Sequence, residues 1–132
     1  MKKIIAFLLV TVFCLTYNTY GQVSKTLPCP VIILTGPKDN KITEGKTLNF
    51  QIKPFSKAYK DYSFTYNWTV STGTIFSGQG TDTVYVNTSG LKGQKITGMV
   101  ELDGMKPGCS TTKSITVQVV GEKPKPGVKT KG

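Results

Sequence analysis

The sequence has no histidine and no arginine. All 17 basic residues are lysine, set against seven acids, for a net charge of +10. Without arginine the chain lacks the forked, bidentate donor of sequence-specific nucleic-acid recognition, so no nucleic-acid partner is expected. Without histidine, a mixed-ligand zinc site and a Cys–His catalytic pair each lack a member. Acids are scarce, and most fall in turns. Glu101 and Asp103 share one side of a strand end and, with Asp39 or Asp61, could offer oxygen ligands to calcium; solvated turn carboxylates explain them without a metal. General acid–base chemistry needs a positioned histidine, a carboxylate pair or a tuned lysine, so no catalytic residue, metal or cofactor is expected. Gly78-Gln79-Gly80 is too short for a phosphate-binding loop, and no Lys-Ser/Thr follows it. The scattered lysines read as a solvated surface that discourages edge-to-edge strand pairing.

Long apolar runs are also few. One follows Met1-Lys2-Lys3 and covers residues 4–15, ahead of Thr19-Tyr20-Gly21, small enough at the right places for a signal peptidase. It is short of the roughly 20 residues that span a bilayer. Cys14 follows Phe13, where a lipoprotein anchor needs a small residue. Residues 1–21 are therefore expected to be a cleaved secretory signal, with Gln22 the first mature residue and no transmembrane segment in the mature chain. Its charge falls to about +8, and the expected location is periplasmic, cell-surface or secreted. Cys29 and Cys109 are then the two remaining cysteines. In an oxidising compartment an even count makes a disulfide the default, with a pair of free thiols as the alternative.

What the chain does have is a row of alternating aromatics. In residues 62–70, Tyr62, Phe64, Tyr66, Trp68 and Val70 share one parity, and small polar residues share the other. Successive side chains of a strand point to opposite faces, so this row predicts a half-buried central strand with Trp68, the sole tryptophan, as keystone. Residues 47–53 alternate likewise, with Leu48, Phe50 and Ile52 inward. Phe50, Phe64, Tyr66 and Trp68 are the expected large core residues. Further strands are predicted at 31–34, 74–77, 81–87, 94–102 and 111–120, separated by Gly/Pro turns. Val84 and Val86 point inward and Tyr85 outward; Leu91 plugs one end. Gly98 makes room for a bulky neighbour, Trp68 being the candidate. Short strands at regular spacing without a helical segment predict an all-β, antiparallel two-sheet sandwich of about seven strands over residues 22–120. Residues 121–132, GEKPKPGVKTKG, are a basic flexible tail.

The order of signals resembles a known type of domain. A cysteine precedes the first strand, followed by TEGKTLNF, YNWTVSTGTIFSGQGTDTVYV, NTSGLKGQKITGMVEL, the glycine-flanked Cys109, and SITVQVV. This is similar to the PKD-like and Ig-like repeats of secreted and cell-surface bacterial proteins, with a signal ending like those of Bacteroidota-type bacteria. In PKD domains the tryptophan strand runs on into Trp-Asp-Phe-Gly-Asp-Gly. Here residues 68–73 read Trp-Thr-Val-Ser-Thr-Gly, without either aspartate, so no acidic or calcium-linked role carries over. The resemblance implies a non-catalytic spacer, adhesion unit or contact module, and shared architecture does not transfer function. The function expected is a secreted or envelope binding module contacting polysaccharide or protein through loops, the alternative being a passive structural spacer. Phe55, Lys57, Tyr59 and Lys60, in the loop entering the central strand, are the candidate binding residues. The bland alternative is that its aromatics fold back on the domain end. Exposure of Phe55, Tyr59, Phe76 or Tyr85 separates the two functional readings.

Overall fold

The computed structural model describes residues 26–124, 126 and 127. The expected signal peptide and, in the tail, Lys125 and residues 128–132 lie outside them. Among the described residues eight strands form: β1 (Leu34–Thr35), β2 (Lys41–Thr43), β3 (Leu48–Ile52), β4 (Thr65–Val70), β5 (Thr74–Ser77), β6 (Thr83–Asn87), β7 (Lys95–Asp103) and β8 (Thr112–Val120). They make two four-stranded sheets, ordered β1-β3-β6-β5 and β2-β8-β7-β4. With β1 and β2 as two halves of one first strand, this is the ABED and CFG order of an immunoglobulin sandwich.

Period-two patterning builds the core. Along β3, Leu48, Phe50 and Ile52 are buried while Asn49 and Gln51 are exposed. Along β7, Ile96, Gly98, Val100 and Leu102 are buried, and from β8 come Val117 and Val119. Trp68, on the strand equivalent to C, is 2% exposed. Its indole nitrogen donates to the Thr81 carbonyl at 2.7 Å, which meets the need of a buried indole for a partner. Gly98 does open space for an aromatic ring, but the ring is that of Phe50, not Trp68. A Cβ on Gly98 would lie 2.5–2.8 Å from three Phe50 carbons. Between the two sheets, a residue without a side chain thus faces the largest residue of β3.

Three expectations need correction. The first strand does not occupy residues 31–34. It is divided, Leu34–Thr35 pairing with β3 and Lys41–Thr43 with β8, which brings the count to eight. Pro28 and Pro30 cannot donate to a ladder, so the apolar run begins as irregular chain. The pairing of β2 with β8 is also parallel, not antiparallel. The chain changes sheet through Gly36-Pro37 and a 3-10 turn, Lys38–Asn40, with Asp39 and Asn40 at positive φ, and keeps its heading as it crosses. Last, the aromatic row is longer than its strand. β4 starts at Thr65, opposite Asp103, the last residue of β7. Tyr62 and Phe64 precede it, half-buried against the end of the core.

The β5–β6 loop protects an edge. β4 is the outer strand of its sheet, and the main-chain N–H and C=O of Trp68 are both taken by the Gln79 carboxamide, each at 2.8 Å. One side chain thus imitates the backbone of a neighbouring strand and blocks pairing with another chain at that point. Gly78 holds the loop at φ 87°, and a Cβ there would collide with the Thr83 carbonyl oxygen. Gln79→Ala is expected to cost about 1–2 kcal/mol and to make the chain self-associate. Urea unfolding and concentration-dependent light scattering check the two effects; unchanged values in both refute the edge-protecting role.

Candidate functional site

The loop that carried the sequence-based site residues folds back on the domain. Lys57–Tyr59 forms a 3-10 turn, with Lys57 and Lys60 exposed and Phe55 and Tyr59 half-buried. Phe55 packs on Phe64 at 4.6 Å between ring centroids, Tyr59 meets Tyr62 edge-on at 5.9 Å, and Tyr62 stacks on Phe64 at 5.9 Å. The Tyr59 hydroxyl donates to the Pro28 carbonyl at 2.8 Å, and Lys106 Nζ sits 5.9 Å above the Tyr62 ring while donating to the Leu27 carbonyl. These aromatics close one end of the sandwich and hold the N-terminal segment against it. Tyr66, next in the row, is half-buried; desolvation first, and the charge of Asp82 second, keep its phenol above the ordinary tyrosine range.

The exposed aromatics lie elsewhere, on the outer face of the β1-β3-β6-β5 sheet. Phe76 is 59% exposed and Tyr85 39% exposed, with ring centroids 6.4 Å apart and planes tilted by 39°. A bulge adjoins this pair. Ile75 faces Val86 and Ser77 faces Tyr85, so Phe76 is the extra residue on β5. Ile75, opposite the buried Val86, packs on the core, so strand alternation leaves Phe76 on the outer face, and the bulge then brings Ser77 as well as Phe76 beside Tyr85. Asn49 is opposite Tyr85 across β3 and β6, and Gln51 is opposite Thr83. None of the four strands of this sheet carries a charged residue. The other sheet has Lys41, Lys95, Glu101, Asp103 and Lys113 in its strands. In a chain this basic, an uncharged sheet with two exposed rings is distinctive. It offers stacking surface flanked by amides and hydroxyls.

Tyr85 was legible as outward-facing from alternation alone. The pairing with Phe76 was not, because the tetrad Thr74-Ile75-Phe76-Ser77 holds two adjacent apolar residues and period two can bury only one. Beside Phe76 lies a notch of about 340 Å³ lined by Gly45, Lys46, Thr47, Phe76, Asn87 and Ser89. On the opposite sheet, Asp103 accepts hydrogen bonds from Asn67 at 3.0 Å and Thr65 at 3.5 Å. Among the described residues, no three acidic or cysteine side chains gather as metal ligands, and no helix is long and apolar enough to cross a membrane. Cys29 and Cys109 are bonded, with Cα atoms 5.5 Å apart. Comparison of the chain with protein families, curated proteins and solved structures finds no match.

Proposed function

We propose that this chain is a non-catalytic, exported module of the PKD-like or Ig-like kind that holds a polysaccharide against the outer face of its β1-β3-β6-β5 sheet. The observation that carries the reading is the exposed Phe76–Tyr85 pair on a sheet without charge. Aromatic faces bury large apolar area, and the apolar C–H face of a pyranose ring is a natural partner for them. Neighbouring Asn49, Gln51 and Asn87 supply the donors and acceptors a sugar's hydroxyls require. The disulfide supports an oxidising location such as the periplasm or cell exterior. The lysines of residues 121–132 add a weak, salt-sensitive attraction to anionic envelope material. Relative to the loop-based expectation, the contact surface moves from Phe55 and Tyr59 to the sheet face, and the loop becomes a structural closure.

Affinity electrophoresis against immobilised envelope polysaccharide tests this. A Phe76→Ala/Tyr85→Ala double variant should lose retention about tenfold or more, the loss of roughly 1.4 kcal/mol or above. Its melting temperature should stay within a few degrees, since both rings are exposed. Unchanged retention in the double variant, or no retention of the unmodified chain, rejects the binding module and leaves the passive spacer as the better account.

A further inference from the structure

The notch beside Phe76 is built from two loops pinned to each other. The Thr43–Lys46 turn closes through a hydrogen bond from the Lys46 N–H to the Thr43 carbonyl at 3.1 Å, with Gly45 at φ 77°. The Lys46 carbonyl in turn accepts from the hydroxyl of Thr88 at 2.7 Å, and Thr88 is fully buried. Thr88 stands between Asn87 and Ser89, which form the facing wall. The Ser89 N–H donates to the Asn87 side-chain oxygen at 2.9 Å, which fixes the carboxamide and orients its amide nitrogen as a donor for a ligand. Lys46 is the charged member of the lining; Glu44, two residues earlier, is not part of it.

From this arrangement we infer that the notch is a subsite for an acidic sugar, one ring of a uronic-acid-containing polysaccharide, whose carboxylate meets Lys46 while its ring face lies on Phe76. The inference rests on the platform reading above and narrows its ligand class. A cation beside Phe76, at one border of a sheet whose strands carry no charge, offers an anionic group a partner at one place along the chain of sugars, whereas the middle of the face, with Tyr85, Asn49 and Gln51, serves neutral parts of the ligand. The walls are tied through a buried hydroxyl before any ligand arrives, so little ordering is required on binding.

Defined oligosaccharides separate this subsite from the general attraction of a basic protein for polyanions. The full mature chain would be titrated calorimetrically with a galacturonate tetrasaccharide and with its methyl-esterified, neutral form. The acid should bind about three- to fivefold more tightly, the size of an exposed ion pair. Lys46→Gln should bring the two affinities together, and Lys113→Gln, on the other sheet, should preserve the difference. Phe76→Ala should weaken both ligands. A preference that survives Lys46→Gln, or that Lys113→Gln reduces equally, overturns the subsite while leaving the platform standing. Binding of both sugars unaffected by Phe76→Ala, or no binding of either by the unmodified chain, overturns the platform and the subsite with it.

Discussion

Trp68→Ala is expected to lower the unfolding free energy by about 3–5 kcal/mol, the range for deleting a large core aromatic. The indole is almost wholly buried between the sheets, and among the described residues β4 is an edge strand with β7 as its one ladder partner. Few neighbours can therefore move in to fill the space. The lost hydrogen bond to Thr81 is a smaller matter: Thr81 is exposed, and water can replace the indole N–H at its carbonyl. Trp68→Phe isolates that smaller part. It keeps most of the packing and should cost about 1–2 kcal/mol. Urea unfolding followed by far-ultraviolet circular dichroism gives both values, since the variants lack the fluorophore. The main-chain bonds to Gln79 do not depend on the indole, so the strand edge stays covered in both. A loss under about 1 kcal/mol in the alanine variant would mean that the core is organised around another residue, with Phe50 against Gly98 the next candidate.

How far the sequence speaks depends on what sets each feature. Where burial alone decides, alternation is enough. Strand β3 and the run from Ile96 to Leu102 in β7 follow period two, and both were legible. Where a partner's length decides, alternation overreaches. Tyr62 and Phe64 share the parity of Trp68, yet β7 ends at Asp103 and turns at Gly104, where a Cβ would meet the Ser63 carbonyl. With no strand opposite them, those two aromatics join Phe55 and Tyr59 at the end of the sandwich. The apolar run at the start shows the same limit. Ile32 is buried while Val31 and Ile33 are 76% and 47% exposed, so side chains alternate as in a strand. The disulfide and hydrogen bonds from Lys106, Tyr59 and the Lys53 N–H, rather than a continuous ladder, hold that stretch in place. The candidate face was the least legible part. Its defining ring adjoins another apolar residue, Ile75, and which of the two faces the core is settled by the register of β5 against β6, which no single stretch of sequence displays.

Removing the Cys29–Cys109 bond, through a Cys29→Ala/Cys109→Ala double variant, is expected to cost about 2–5 kcal/mol. The bond joins residues 80 apart, so it closes a loop holding nearly the whole sandwich. On the chain-entropy view, releasing a loop of that length stabilises the unfolded state by about 4 kcal/mol. The folded state loses as well. The segment from Leu27 to Ile33 has three long-range hydrogen bonds, accepted by its carbonyls from Lys106, Tyr59 and the Lys53 N–H. Pro28 and Pro30 have no N–H to add. Freed from Cys109, this segment would let Ile32 leave the core, and burying one such side chain is worth about 1.5–3 kcal/mol. The two effects overlap, because a segment already loose in the folded state gains less on unfolding. Urea unfolding of the oxidised chain and the double variant measures the sum. Hydrogen exchange separates the parts: if local release dominates, protection falls at Lys53, whose N–H is bonded to the Ile33 carbonyl, well before it falls in β7 and β8. If the variant instead matches the oxidised chain within about 1 kcal/mol, the aromatic closure of Phe55, Tyr59, Tyr62 and Phe64 holds the N-terminal segment without help. The Phe76–Tyr85 face is formed by β5 and β6, on the opposite margin of its sheet from β1, so the proposed polysaccharide binding should be unchanged in the fraction of variant that stays folded.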